Sequence, residues 1–247
     1  MILLKIKNKK DFINSFLGSI SNLNDMGILT VTADSLTCIL ASADATIVCK
    51  STINVECDMP QDSITLNIPD IKRLVRVLDI LPDQSIELKI ESNNISYNKG
   101  GYKFKYHLLD DGIIKQPNLN MEKVNKLNFD TTFKVKEQNL STLFKGSSFT
   151  SETHKLYIFQ EEQDKIIGEL GDKNRHNTDN FVCELSNETE GSMITKPLPL
   201  NFESFRLINF NGCREMVFKV NQEMGVLTCS FKKGDTSLIY IISALIN

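Results

Sequence analysis

The sequence predicts an α+β protein of two similar halves, each made of two units that combine one short helix with several strands. Three observations predict it. Four short amphipathic segments start near 11, 70, 137 and 202, which are 59, 67 and 65 residues apart. The sequence between them alternates with period two, or runs in short apolar stretches rich in Val, Ile, Thr, Phe and Tyr, as half-buried strands do. A polar stretch at 110–127 then divides the chain into parts of similar length. One helix over a few strands buries too little apolar surface alone, so paired units share a core and two pairs make two domains.

The helices come first. Asp11–Leu23 places Phe12, Ile13, Phe16, Leu17 and Ile20 on one face, and Asp70–Leu81 gathers Ile71, Leu74, Val75 and Leu78. Pro69 is expected to open that second helix, in the first-turn position that tolerates proline. The third runs from about Glu137 to Phe144 around Leu140, Leu143 and Phe144, and the fourth covers Phe202–Phe210 with Phe202, Phe205 and Ile208 aligned.

Strands are expected at Ile28–Thr32, Thr37–Leu40, Thr46–Cys49, Ser63–Ile68, Ser85–Ile90 and Tyr102–Leu108. The second half offers Leu156–Gln160, Lys165–Leu170, Phe181–Leu185, Glu215–Val220, Gly225–Phe231 and Ser237–Ile242. Turn residues punctuate them at Asn93-Asn94, Lys99-Gly100-Gly101 and Lys233-Gly234-Asp235. The second and fourth units read against each other directly, each as Pro, helix and three strands, over Pro69–Leu109 and Pro199–Leu245. The expected organisation is a domain at 1–109, a linker at 110–127 and a domain at 128–247. Gly112 and Pro117 break the linker, yet Ile113, Ile114, Leu119 and Met121 require it to lie against a surface.

At 247 residues, with 41% hydrophobic and 24% charged residues, the chain suits two domains of about 120. No apolar run is long enough to cross a bilayer. Met1–Lys7 alternates apolar residues with Lys, as a strand does and a secretion signal does not. Six scattered cysteines without a Cys-x-x-Cys pair then read as reduced thiols, and the expected location is intracellular: bacterial host cytoplasm, or nucleus in a eukaryote.

The formal net charge of −3 argues against a protein that grips nucleic acid over its whole surface. The helices nevertheless bias basic. Lys72, Arg73 and Arg76 lie opposite the apolar stripe of the second helix, Lys9 and Lys10 open the first, Lys136 and Lys145 flank the third, and Arg206 lies on the fourth. Any one of these reads as an ordinary solvated face. Recurrence over four repeated helices in an acidic chain points to faces turned toward phosphates, which need no sequence readout.

The layout resembles the DNA sliding clamp family, of the proliferating-cell-nuclear-antigen type shared by eukaryotes, archaea and some viruses, over essentially the whole chain. The most specific pieces are Thr30–Ile53, Gly168–Gly171 and the terminal Tyr240–Ile246, where the proline common in the family is absent. The resemblance implies the clamp fold in a homotrimeric, pseudo-sixfold ring with helices inside and sheets outside. It implies no cofactor, metal or catalytic residue, no membrane, and as partners double-stranded DNA, a DNA polymerase, a clamp-loader ATPase and further copies of the chain. The DNA-facing residues would be Lys9, Lys10, Lys72, Arg73, Arg76, Lys136, Lys145 and Arg206. A partner-peptide pocket would comprise Leu40, Ala41, Ala45, Ile47, Ile113, Ile114 and Pro117 with the tail residues Ile241, Ile242, Ser243, Ala244 and Leu245. Subunits would join through Tyr102, Phe104 and Tyr106 on one edge strand and Phe181, Cys183 and Leu185 on another. From the residues alone, both segments read equally as interior hairpin strands.

Two other functions are weighed. A monomeric processivity factor of the same fold would need a stronger basic face than a net charge of −3 suggests. A nuclease site at Pro82-Asp83 with Glu87 and Lys89 would need a metal between two acids. These acids are four residues apart, across a turn, where such sites leave a longer gap. His107, His154 and His176 have no ligand spacing, and no phosphate-binding loop or nucleophile elbow occurs.

Overall fold

The structure, a computed structural model, describes residues 2–59, 62–117, 119–150, 154–162, 164–173 and 178–245. The chain forms two compact units. One comprises Met1–Ala43, Cys49–Asn118 and Lys232–Leu238; the other comprises Asp44–Val48, Leu119–Phe231 and Ile239–Asn247.

In the first unit, β1 (Ile2–Ile6) leads into a continuous helix α1. It is built from Lys9–Asp11, a π segment Phe12–Leu17, and Gly18–Ser21. The strands β2 (Gly27–Val31), β3 (Ser35–Ala41), β4 (Ile47–Asn54) and the short β5 (Glu56–Asp58) follow. The second repeat runs β6 (Ile64–Ile68), α2 (Ile71–Asp79), β7 (Ile86–Glu91), β8 (Asn94–Lys99) and β9 (Tyr102–His107). Strand order is β5-β1-β7-β8-β9 in one sheet and β4-β3-β2-β6 among the others, and the ladders β1–β5, β1–β7, β7–β8, β8–β9, β2–β3 and β2–β6 are antiparallel.

The second unit begins with a short helix α3 (Met121–Asn125), capped by the Asn120 side chain. Its repeats are β10 (Thr131–Lys136), α4 (Glu137–Gly146), β11 (Lys155–Glu162), β12 (Lys165–Leu170), β13 (Phe181–Ser186) and β14 (Thr189–Gly191), then β15 (Leu198–Asn201), α5 (Phe202–Phe205), β16 (Glu215–Asn221), β17 (Val226–Lys233) and β18 (Thr236–Ser243). Strand orders are β13-β12-β11-β15 and β14-β10-β16-β17-β18.

The repeat is therefore β-α-β-β-β, with a strand ahead of every helix. This corrects the helix-first reading at two places. Pro69 lies outside α2, because Asp70 is the N-cap, its side chain accepting from the Arg73 amide at 2.7 Å. Pro199 belongs to β15 rather than opening a helix. Five strands, β5, β8, β10, β14 and β15, were not expected; nor was α3, which lies inside the expected linker. The fourth helix is α-helical only over Phe202–Phe205.

Each core grows from the helices inward. Phe12, Phe16, Leu17 and Ile20 of α1 are almost fully buried with Ile71, Leu74 and Leu78 of α2, and the Phe12 and Phe16 rings stack at 5.6 Å. The π turn buries Ser15 and Ser19 too, so α1 exposes little more than Lys10 and Asn14. In the second unit Phe144 of α4 touches the rings of Phe202, Phe205 and Phe210 at 6.0–6.1 Å, while Phe133 and Phe218 stack across β10 and β16 at 5.3 Å.

Candidate nucleic-acid and partner interfaces

On α2 the apolar stripe faces inward, which leaves Lys72, Arg73 and Arg76 exposed on the opposite side. Lys72 pairs with Asp25 at 2.8 Å, and Arg76 lies 4.0 Å from the capping carboxylate of Asp70. Both pairs are exposed and weak, so phosphates could compete for the cations. Lys10, Lys136, Lys145 and Arg206 are also exposed. Arg206 shares its charge with Glu203 at 3.5 Å. Lys9 is a correction: its half-buried ammonium donates to the carbonyls of Asp79 and Leu81, closing the end of α2 instead of projecting outward. On α4 the exposed side carries Gln138, Thr142 and Lys145, with Glu137 turned to the Gly212 amide at 3.0 Å.

The two proposed interface strands both stand at the end of a sheet, β9 paired with β8 and β13 with β12. Neither is an interior hairpin strand. Tyr106 and Leu185 are buried, Phe104, Phe181 and Cys183 half-buried, and Tyr102 is 42% exposed. Burial pushes the Cys183 thiol up to about 11, so it is unionised at neutral pH. The Phe181 ring fits against α4 where a Cβ on Gly146 would stand 2.1 Å from it, so glycine there lets β13 lie close to the helix. Alternation also marks an outer face that the candidate residues omitted: Lys103 and Lys105 on β9, Val182 and Glu184 on β13.

The candidate peptide pocket divides between the units. In the first, Leu40, Ala41, Ile113, Ile114 and Pro117 line one cavity of about 410 Å³ together with Met26, which sequence reasoning missed. Ile113 and Met26 are 56% and 43% exposed and both line this cavity. In the second unit Ala244 and Leu245 line a cavity of about 460 Å³ with Pro199 and Met224. Ile47 and Ile242 are corrections, since they are buried in core on β4 and β18, while Ile241, also buried, faces the opposite side of β18 from Ile242. Ala45 is exposed with a positive φ of 56°, in a turn, and Ser243 is exposed at the end of β18.

The nuclease triad does not assemble. Asp83 accepts from Lys99 at 2.9 Å and from the Tyr97 hydroxyl at 3.2 Å, which hold its carboxyl below the usual range. Glu87 lies 4.0 Å from Lys5, and Lys89 pairs with Glu91 at 2.8 Å. Among the described residues no group of three or more His, Cys, Asp or Glu is placed to hold a metal. His107 and His154 are exposed, and His176 lies outside the described residues. Among the described residues no helix is long and apolar enough to cross a membrane.

Four β-α-β-β-β repeats, paired into two units, define the fold of the DNA sliding clamps. Solved PCNA structures share it over the whole chain. The PCNA of Entamoeba histolytica matches with a TM-score of 0.77 at 12% identity, covering 99% of both chains. The A. fulgidus PCNA, solved with the C-terminal region of FEN-1 bound, matches at 0.75 and 13% identity, covering 100% of this chain and 99% of that one. A PCNA2–PCNA3 complex from Sulfolobus tokodaii matches at 0.72 and 13% identity, covering 98% of both. No protein-family model and no curated protein sequence matches the chain.

Proposed function

We propose that the chain is a sliding clamp: a DNA polymerase processivity factor whose three copies close head-to-tail into a ring around duplex DNA. The observation that carries this reading is the pair of long open strand edges, β9 in one unit and β13 in the other. Of the remaining sheet ends, β5, β14 and β15 have three or four residues. β6 is covered by the following chain, where Leu109 N–H donates to the Asn67 carbonyl at 3.0 Å. Two unlike edges on one chain favour a closed heterologous ring, which would use up both.

In that ring α1, α2, α4 and α5 would face the duplex. Lys10, Lys72, Arg73, Arg76, Lys136, Lys145 and Arg206 would make mobile phosphate contacts, while topology rather than affinity would hold the DNA. Residues 1–109 and 128–247 would act as the two clamp domains. The two cavities would receive short peptides of polymerase and loader, Met26 and Ile113 offering apolar contacts. Support for a peptide partner comes from the FEN-1 segment on the A. fulgidus protein, and for self-assembly from the S. tokodaii complex. The protein would work by tethering, without chemistry of its own. Sedimentation velocity at micromolar concentration tests the assembly. A species with the mass of three chains supports the ring, and a clean monomer removes it.

A further inference from the structure

The proposed contact between copies can be specified residue by residue, on the understanding that it rests on the head-to-tail reading above. The phase of each free edge is fixed. Leu108 N–H donates to the Asn93 carbonyl, so Tyr102, Phe104 and Tyr106 direct their peptide groups to β8, and Lys103, Lys105 and His107 direct theirs outward. Gly171 N–H donates to the Lys155 carbonyl, which turns Leu170 and Gly168 toward β13. Phe181 and Cys183 therefore bond β12, and Val182 and Glu184 face outward.

Both strands have six residues, yet full overlap, Tyr102 opposite Ser186, is out of phase. It would set outward-bonding Glu184 against inward-bonding Phe104 and place a half-buried ring over an exposed carboxylate. A one-residue slip in either direction restores the phase. Slipping one way puts Lys103 opposite Glu184, Phe104 opposite Cys183, Lys105 opposite Val182 and Tyr106 opposite Phe181. Slipping the other way sets Phe104 against Leu185 and Lys103 against Ser186. The β12–β13 ladder shifts register between Ile166 and Ile167, and Leu185 is left without a partner there. A second ladder across that bulge would be irregular. The first register keeps 181–184 intact.

We propose that β9 of one copy and β13 of the next pair antiparallel with Phe104 opposite Cys183 and Lys103 opposite Glu184, the bulge at Leu185 selecting this register over the one that sets Lys105 against Glu184. The two edges are complementary: β9 carries Lys103 and Lys105 outward and β13 carries Glu184. Phe104 and Cys183 would form a non-hydrogen-bonded pair, with Cα atoms about 4.5 Å apart, within reach of a disulfide.

Two measurements on the full-length protein test the register. Phe104→Cys should cross-link to native Cys183 on mild oxidation, giving covalent oligomers that vanish with Cys183→Ser, whereas Tyr102→Cys should not. Separately, Lys103→Glu and Glu184→Lys should each weaken self-association about tenfold, and the double exchange should restore it. Oligomers that Phe104→Cys fails to cross-link, or in which Lys105→Glu rather than Lys103→Glu rescues Glu184→Lys, overturn the register and leave the head-to-tail reading standing. A wild-type chain that stays monomeric overturns both.

Discussion

Tyr106 and Asp70 hold each other by two hydrogen bonds. The Tyr106 hydroxyl donates to the Asp70 carbonyl at 2.6 Å and accepts from the Asp70 amide at 3.1 Å. Asp70 caps α2 and Tyr106 lies on β9, so one buried side chain fastens the basic helix to the open edge of its unit. Burial of Tyr106 and satisfaction of the Asp70 amide are parts of the same contact.

Tyr106→Phe should therefore lower the unfolding free energy by about 1 kcal/mol, since it takes the partner from the Asp70 amide while keeping the ring, and the Asp70 carbonyl still accepts from Leu74 N–H at 3.1 Å. Urea unfolding checks this at neutral pH. Burial raises the Tyr106 hydroxyl above its ordinary pKa, with the nearby Asp70 charge adding to the shift. Its contribution is then fully present below about pH 10, the unfolded value, and is lost as pH rises through the folded value. The gap between wild type and Tyr106→Phe should narrow above pH 10, and a gap constant to pH 11 would contradict this account.

The triple exchange of Lys72, Arg73 and Arg76 to Ala should leave the fold intact, because all three side chains are exposed. Non-specific duplex binding should weaken, and the slope of log affinity against log salt should shrink by about 2 to 3. An unchanged slope, or unaltered processivity on a primed circle, would remove these residues from the DNA-facing set.

Replacing Ile113 and Ile114 by Asp should abolish capture of polymerase peptides without changing the sedimentation of the assembly. Both side chains line the first cavity, while neither β9 nor β13 contains them. Normal polymerase recruitment by this variant would refute the cavity as a peptide site.

Much of the fold was legible because helices and strands here carry unlike periods. Phe12, Phe16 and Ile20 repeat as a helix must, and Ile86, Leu88 and Ile90 alternate as a half-buried strand must. β8 escaped because Asn93-Asn94 resembles a turn and only Ile95 and Tyr97 mark its inward face. β15 escaped because Pro199 suggested a helix start, although its carbonyl remains free to accept from Leu245 N–H. The basic positions of α2 were legible from spacing alone. The engagement of Lys9 was not, since its partners are carbonyls some 70 residues along the chain. Likewise, core and pocket are indistinguishable for Ile47 or Ile242 until the phase of the strand is known.

Retention on DNA according to its topology tests the central claim most directly. The protein should accumulate on linear duplex whose open ends are capped with streptavidin after loading, should slide off when the ends are left free, and should fail to bind a covalently closed circle of the same sequence when no loader is present. Equal binding to circle and linear DNA, governed by salt alone, would show a protein that grips the duplex rather than encircling it.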